Sequence, residues 1–202
     1  DQEAGIGWFG ICRQRQGQRA GSHSRIYVRR EMNSKEKALL HRGMDQVRQR
    51  RFEQALETFD RIISANPDIP EAWNNRGVAL FSLGRLDEAL ESYDRSLALE
   101  GNNLDALRNK AFLLRSQRQL DEALEVYDIV LQKGGDGYDQ ESAAVVLTGL
   151  GRLEEALSCL YLAREQLSFE RLEEEIAAVK ALMEERGLPV PERVPEKAQG
   201  KE

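Results

Sequence analysis

The segment RRFEQALETFDRII returns as GRLDEALESYDRSL and RQLDEALEVYDIVL, and once more, loosely, as GRLEEALSCLYLAR. Ala55, Ala89 and Ala123 are 34 residues apart, and Ala156 follows after 33. Phe59, Tyr93, Tyr127 and Leu160 keep the same step, as do the small residues Gly43, Gly77, Ala111 and Ala144 upstream. A fixed period of this size constrains the fold more than any other feature, because equivalent residues must find equivalent surroundings in successive units.

Inside each unit the apolar residues fall three or four apart, as in Leu86, Ala89, Leu90, Tyr93 and Leu97, which places them on one face of a helix. The upstream small residue belongs to a second helix, so each unit is predicted to be a helical hairpin. Gly77 and Ala89 would let its two helices approach closely, with Trp73, Leu80 and Tyr93 filling the space beside them. One hairpin cannot cover its own apolar face, so the units must stack on one another. Turn signals agree: Gly84 and Gly151 separate the helices of their units, and Asn66-Pro67, Gly101-Asn102-Asn103 and Gly134-Gly135-Asp136-Gly137 separate units. The acidic pairs Asp87-Glu88, Asp121-Glu122 and Glu154-Glu155 open second helices, where carboxylates meet the positive end of the helix dipole.

These residues resemble the tetratricopeptide-repeat family, whose signature runs W-x2-L-G-x2-Y, then A-x3-F, then P. Trp73, Gly77, Ala89 and Tyr93 stand on signature positions, with Leu80 in place of the Tyr and Arg76 in place of the Leu. The first unit supplies Leu39, Gly43, Ala55, Phe59 and Pro67, and the third Leu107, Ala111, Leu114, Ala123 and Tyr127. Gly101 and Gly135 replace the closing Pro, and Arg42, Arg76 and Lys110 recur where Leu is expected, their stems covering apolar surface while the charges reach water. The fourth unit departs furthest, with Gln140 in place of the Trp. The resemblance implies an all-α, right-handed superhelical solenoid of about four helix-turn-helix repeats. The array is expected over residues 32–170, in units at about 36–69, 70–103, 104–137 and 138–170.

Beyond it, Leu172, Ile176, Val179, Leu182 and Met183 share one helical face between Ser168, a candidate N-cap, and Gly187, a candidate C-cap. That segment reads as a capping helix over 171–187, followed by a flexible tail over 188–202. Residues 1–31 hold six arginines against three acids and no sustained helical period, so disorder is expected there. A clean helical start follows Met32, with Ser34 available as N-cap, which makes Met32 a candidate native start and the leader a vector or upstream-translation product.

The 202 residues are 41% hydrophobic and 32% charged with five prolines, a soluble and helix-friendly composition. A net charge of −6 and a pI near 5.2 argue against neutralising nucleic-acid phosphates as the main task. No apolar run reaches the roughly 18 residues of a membrane span, and Asp1 and Glu3 stand where a signal peptide wants positive charge. A cytoplasmic protein without membrane or nucleic-acid partners is expected. Cys12 and Cys159 suggest neither a disulfide framework nor a thiol metal site. Gly5 to Gly10 spells G-x-G-x-x-G, but no strand precedes it. His23 and His41 lie in no metal-ligand spacing, and no nucleophile sits in a G-x-S-x-G turn, so no catalytic residue, metal or cofactor is expected.

The family resemblance implies that the first helix of each unit lines a concave groove. The residues it places there are Lys37, Leu40, Met44 and Arg48 from the first unit; Asn74, Asn75, Val78 and Phe81 from the second; Arg108, Asn109, Phe112 and Arg115 from the third; and Val145 from the fourth. Asn75 and Asn109 would form a ladder of amides for the backbone of an extended peptide, Phe81 and Phe112 would offer apolar contacts, and Arg108 and Arg115 would pair with an acid. Family members that clamp chaperone C-terminal carboxylates need Lys and Asn, then Asn, then Lys and Arg. One register offers Leu40, Met44, Asn75, Asp105 and Asn109, the other Asn74, Val78, Asn109, Tyr138 and Ser142, and only one Asn agrees in each. The expected function is a non-enzymatic scaffold or adaptor that binds another protein as an extended peptide or helix, monomeric or weakly self-associating. Two alternatives are a self-associating module that builds a larger assembly, and the recognition subunit of a multi-protein enzyme.

Overall fold

The computed structural model describes residues 32–167 and 170–191, which form nine α-helices and no strand. They run α1 (Ser34–Arg48), α2 (Phe52–Ala65), α3 (Pro70–Ser82), α4 (Leu86–Leu99), α5 (Leu104–Ser116), α6 (Leu120–Gln132), α7 (Gly137–Gly149), α8 (Leu153–Leu167) and α9 (Glu170–Glu185). Consecutive helices pack on one another, and first helices also touch across units, α1 with α3 and α3 with α5. This is a solenoid of four hairpins with α9 laid against α8. The leader, Ser168 and residues 192–202 lie outside the described residues.

Burial follows the apolar stripe. Ala55, Phe59 and Ile62 on α2 are fully buried, as are Ala123 and Val130 on α6, with Tyr127 at 3% exposure. One core cluster gathers the first two hairpins and a second gathers the last two with Leu172, Ile176, Val179 and Met183 of α9, while Leu90 packs against both. The small residues are steric necessities. A Cβ added at Gly43 would lie 2.5 Å from the Phe59 ring, and one at Gly77 would lie 2.5 Å from the Tyr93 ring.

All four hairpin turns close in the same way. The backbone N–H groups of Arg51, Arg85, Gln119 and Arg152 donate to the carbonyls of Gln46, Leu80, Leu114 and Leu147, five residues back, at 2.8 to 3.0 Å. This six-residue closure needs a left-handed residue just before the donor. Gly84 and Gly151 supply it at φ 75°, whereas Arg50 and Arg118 are forced into it at φ 60° and 62°. A side chain there costs roughly 1–2 kcal/mol, offset by roughly 0.5–1 kcal/mol of chain entropy that glycine must lose on folding. Arg118→Gly is therefore expected to raise stability by about 0.5 kcal/mol. Chemical denaturation checks this, and a lowered midpoint would refute it.

Helix starts differ more than helix ends. Asn33, not Ser34, caps α1: its Oδ1 accepts Glu36 N–H at 2.9 Å while Glu36 Oε2 accepts Asn33 N–H at 2.8 Å. Asn103 caps α5, and Asp136 with Asp139 forms a capping box on α7. Trp73 does not fill the hairpin interior. Its Nε1 donates to Pro67 O at 2.7 Å while Arg76 and Arg95 flank the ring at 5.9 and 6.0 Å. Past α9, Val190 packs on the core and the Tyr161 hydroxyl donates to Pro191 O at 2.8 Å, so residues 188–191 are held on the array.

The outward face of the first hairpin is polar by substitution. Ile69, the N-cap of α3, and Ala79 and Leu80 on α3 are buried in the first core cluster, and the positions 34 residues earlier hold Lys35, Asp45 and Gln46. Lys35 and Asp45 are exposed, and Gln46 accepts the Thr58 hydroxyl at 2.7 Å. A polar recess lies there between α1 and α2, bordered by Ala38, Arg42, Asp45 and Gln54.

Candidate partner-binding groove

Because α1 touches α3, α3 touches α5, and Arg108 on α5 is bonded to Asp139 on α7, the first helices form one row. Among the described residues, three of the five exposed large apolar side chains lie on first helices. Phe112 is 45% exposed, Val145 47% and Tyr138 50%, all on first helices. Phe81 meets Phe112 edge to face with ring centroids 5.5 Å apart, and the Arg115 guanidinium lies 5.0 Å from the Phe112 centroid. Both geometries suit the negative face and positive edge of an aromatic ring. Met44 and Val78 are half-buried against the core beside this cluster, and Lys37 and Arg48 are exposed, Arg48 paired with Asp45 at 2.8 Å.

Five of the expected site residues stand differently. Leu40 is 7% exposed and belongs to the first core cluster, because it points between α1 and its neighbours rather than into the open row. Asn75 Nδ2 donates to Glu71 O of its own helix at 2.7 Å, and Asn109 Nδ2 donates to Asn74 Oδ1 at 2.9 Å. The expected ladder from Asn75 to Asn109 is thus replaced by a bridge between α3 and α5, in which the mostly buried Asn74 is the acceptor. Arg108 is not available to a partner's acid. Its Nε and Nη2 donate to the two carboxylate oxygens of Asp139 at 2.8 and 2.7 Å, and Asp136 stands 3.3 Å away.

That ion pair sets the chemistry at the head of α7. Burial works to raise the Asp139 pKa, but the Arg108 hydrogen bonds, the Asp136 backbone N–H and the nearby positive charge outweigh it and hold the carboxyl below its ordinary range. Tyr138 and Asp139 are the residues that sequence reading leaves out of the groove. Their signal is the glycine-rich junction ending in Asp136: it starts α7 at Gly137, so Tyr138 emerges in the first turn and Asp139 turns back to cap it.

With this geometry in hand, residues 40–103 match the model of the tetratricopeptide repeat family. Over the described residues the fold is that of a tetratricopeptide-repeat array. The same fold appears in solved structures of low identity. MamA from Desulfovibrio magneticus RS-1 is 20% identical over 78% of this chain and 90% of that one, with a TM-score of 0.70. TTC0263, a thermophilic TPR protein of Thermus thermophilus, is 18% identical over 71% of this chain and 80% of that one, with a TM-score of 0.61. The Sgt2 TPR domain from Aspergillus fumigatus is 15% identical over 59% of this chain and 82% of that one, with a TM-score of 0.56. Comparison with curated proteins yields no match.

Arrays of this fold generally act as protein-interaction scaffolds. Among the described residues no group of three or more His, Cys, Asp or Glu is placed to hold a metal. No described helix is long and apolar enough to cross a membrane.

Proposed function

We propose that this chain is a non-catalytic cytoplasmic adaptor that holds an extended peptide or a helix of a partner protein along the row of first helices. The observation that carries this reading is the joined aromatic pair Phe81 and Phe112, continued by Val145 and Tyr138, in a row whose remaining polar groups are largely satisfied within the array. Burying such anchors supplies affinity, and the fixed amides and guanidinium groups around them add shape without needing to be ordered on binding. Arg115, stacked on Phe112, is the cation best placed to meet an acidic side chain of the ligand, a role that Arg108 has given up to Asp139.

Phe112→Ser together with Val145→Ser removes two exposed anchors and leaves the core untouched. A hot-spot loss of about 2 kcal/mol or more corresponds to roughly 30-fold weaker binding. Partners captured by the wild-type chain from native lysate, identified by mass spectrometry and titrated individually, are expected to lose affinity by that factor, with the melting temperature of the variant lowered only slightly. Equal affinity for the two chains would overturn the groove reading.

A further inference from the structure

The first two seams between units are laced by an ion pair in the same place. Arg76 Nε on α3 donates to Asp60 Oδ1 on α2 at 2.7 Å, and Arg76 Nη1 donates to Ser92 Oγ at 2.8 Å. One unit later, Lys110 Nζ on α5 donates to Asp94 Oδ1 on α4 at 2.6 Å. The third seam keeps the acid and loses the cation. Asp128 on α6 is in register with Asp60 and Asp94, but Ala143 occupies the place of Arg76 and Lys110, and Cys159 the place of Ser92.

The consequence is visible at the carboxyl. Asp128 Oδ1 is buried without a hydrogen-bond partner among the described residues. The charges that act on it are Arg152 at the head of α8, Glu155 on α8 and Glu125 on its own helix, while α7 brings only alanine to this register. Arg152 is itself held by Glu155 through two bonds of 2.7 Å. Cys159, 2% exposed, has its thiol pushed up to about 12, first by burial and then by the carboxylates of Asp128 and Glu155, so it stays protonated and offers no counter-charge.

We propose that this seam is a proton-controlled joint: while Asp128 is ionised, α7, α8 and α9 open from the array more readily than the earlier hairpins, and protonation of the carboxyl closes them. A buried anionic oxygen without a partner is costly, and the neutral acid is much less so. Burial raises the Asp128 pKa, against the pull of Arg152 and with help from Glu155 and Glu125. For a carboxyl raised in the folded state, the stabilisation is complete below the unfolded value, about 4, and is lost as pH rises through the folded value. Since α7 carries Tyr138 and Val145, the joint also governs how firmly the last part of the first-helix row is presented.

Hydrogen-exchange protection factors in the full chain, measured between pH 4.5 and 7.5, test this joint separately from the groove. That window lies above the range in which Asp139, with its lowered pKa, gains a proton. Asp128→Asn is expected to raise protection of α7–α9 amides about tenfold at pH 7.5 and to remove the pH dependence that wild type shows there. Ala143→Lys, which restores the missing cation, is expected to raise protection at pH 7.5 and to lose that gain at pH 4.5, while α1–α4 amides stay unchanged in both variants. Protection in Asp128→Asn equal to or lower than wild type at pH 7.5, or an unchanged pH slope, would overturn the proposal. Asp128→Asn decides the question by itself if Ala143→Lys fails to fold.

Discussion

Replacing Phe59 by Ala is expected to lower the unfolding free energy by about 3–5 kcal/mol, the largest effect of any single truncation proposed for this chain. The ring is fully buried in the first core cluster and lies against the glycine that makes room for it. Gly43 has no side chain with which to refill the hole, so the cavity stays open and the full cost is felt. Gly43→Ala in the Phe59→Ala background should return part of the loss, whereas the same change in wild type should destabilise, because its Cβ would meet the ring. The pair should therefore be strongly non-additive. Urea titrations of the four chains provide the test, and simple additivity would mean that the close approach at Gly43 is not what sets the size of Phe59. Truncating Phe112, 45% exposed, should cost less than about 1 kcal/mol, which separates the core aromatics of second helices from the anchors of first helices.

Asp139→Ala is expected to cost about 2–3 kcal/mol near neutral pH. The carboxylate is 5% exposed, accepts two bonds from Arg108, and accepts the Asp136 N–H that completes the α7 capping box. Losing one partner of a fully buried pair costs about 3–5 kcal/mol. The cost here is lower because Arg108 is 35% exposed and water can solvate it once the acid has gone. The pH dependence has a definite sign. A carboxyl held below its ordinary value stabilises the fold above the unfolded aspartate value, about 4, and that contribution disappears as pH falls through the folded value. The gap between wild type and Asp139→Ala should therefore be constant from neutral pH to about 5 and narrow below about 4. Thermal melts across that range are the measurement. A gap that persists undiminished at a pH of about 2 would mean that Asp139 acts through packing and not through its charge.

The hairpins, their order and their buried stripes were legible in the sequence, because a stripe such as Ala55, Phe59 and Ile62 is set by spacing alone and then repeated at the same step. The choice of cap was not. Asn33 and Ser34 are both good cap residues, and only the extended backbone at Asn33, φ −75° and ψ 167°, decides between them. The polar side of the groove was harder still. Spacing put Asn75 and Asn109 in equivalent positions, but each amide turned to the nearest acceptor, Glu71 O for one and Asn74 Oδ1 for the other, and these acceptors are not equivalent. Arg108 was lost to Asp139 in the same way, since the partner lies 31 residues away and is in place only because the fourth unit starts with its own capping box. Leu40 sat on the expected line of groove residues, yet the exposed side of a terminal helix depends on what stacks beside it, and the first hairpin has a neighbour on one side only among the described residues.

The polar substitutions on the outward side of the first hairpin make the array directional as a building block. A duplicate of the second hairpin spliced in behind the first would bring apolar residues to its new neighbours, since Ile69, Ala79 and Leu80 already lie in the core cluster that the first two hairpins share. The same duplicate grafted ahead of α1 would have to dehydrate Lys35 and Asp45. Lengthened versions of this scaffold can therefore grow from within and not from that end.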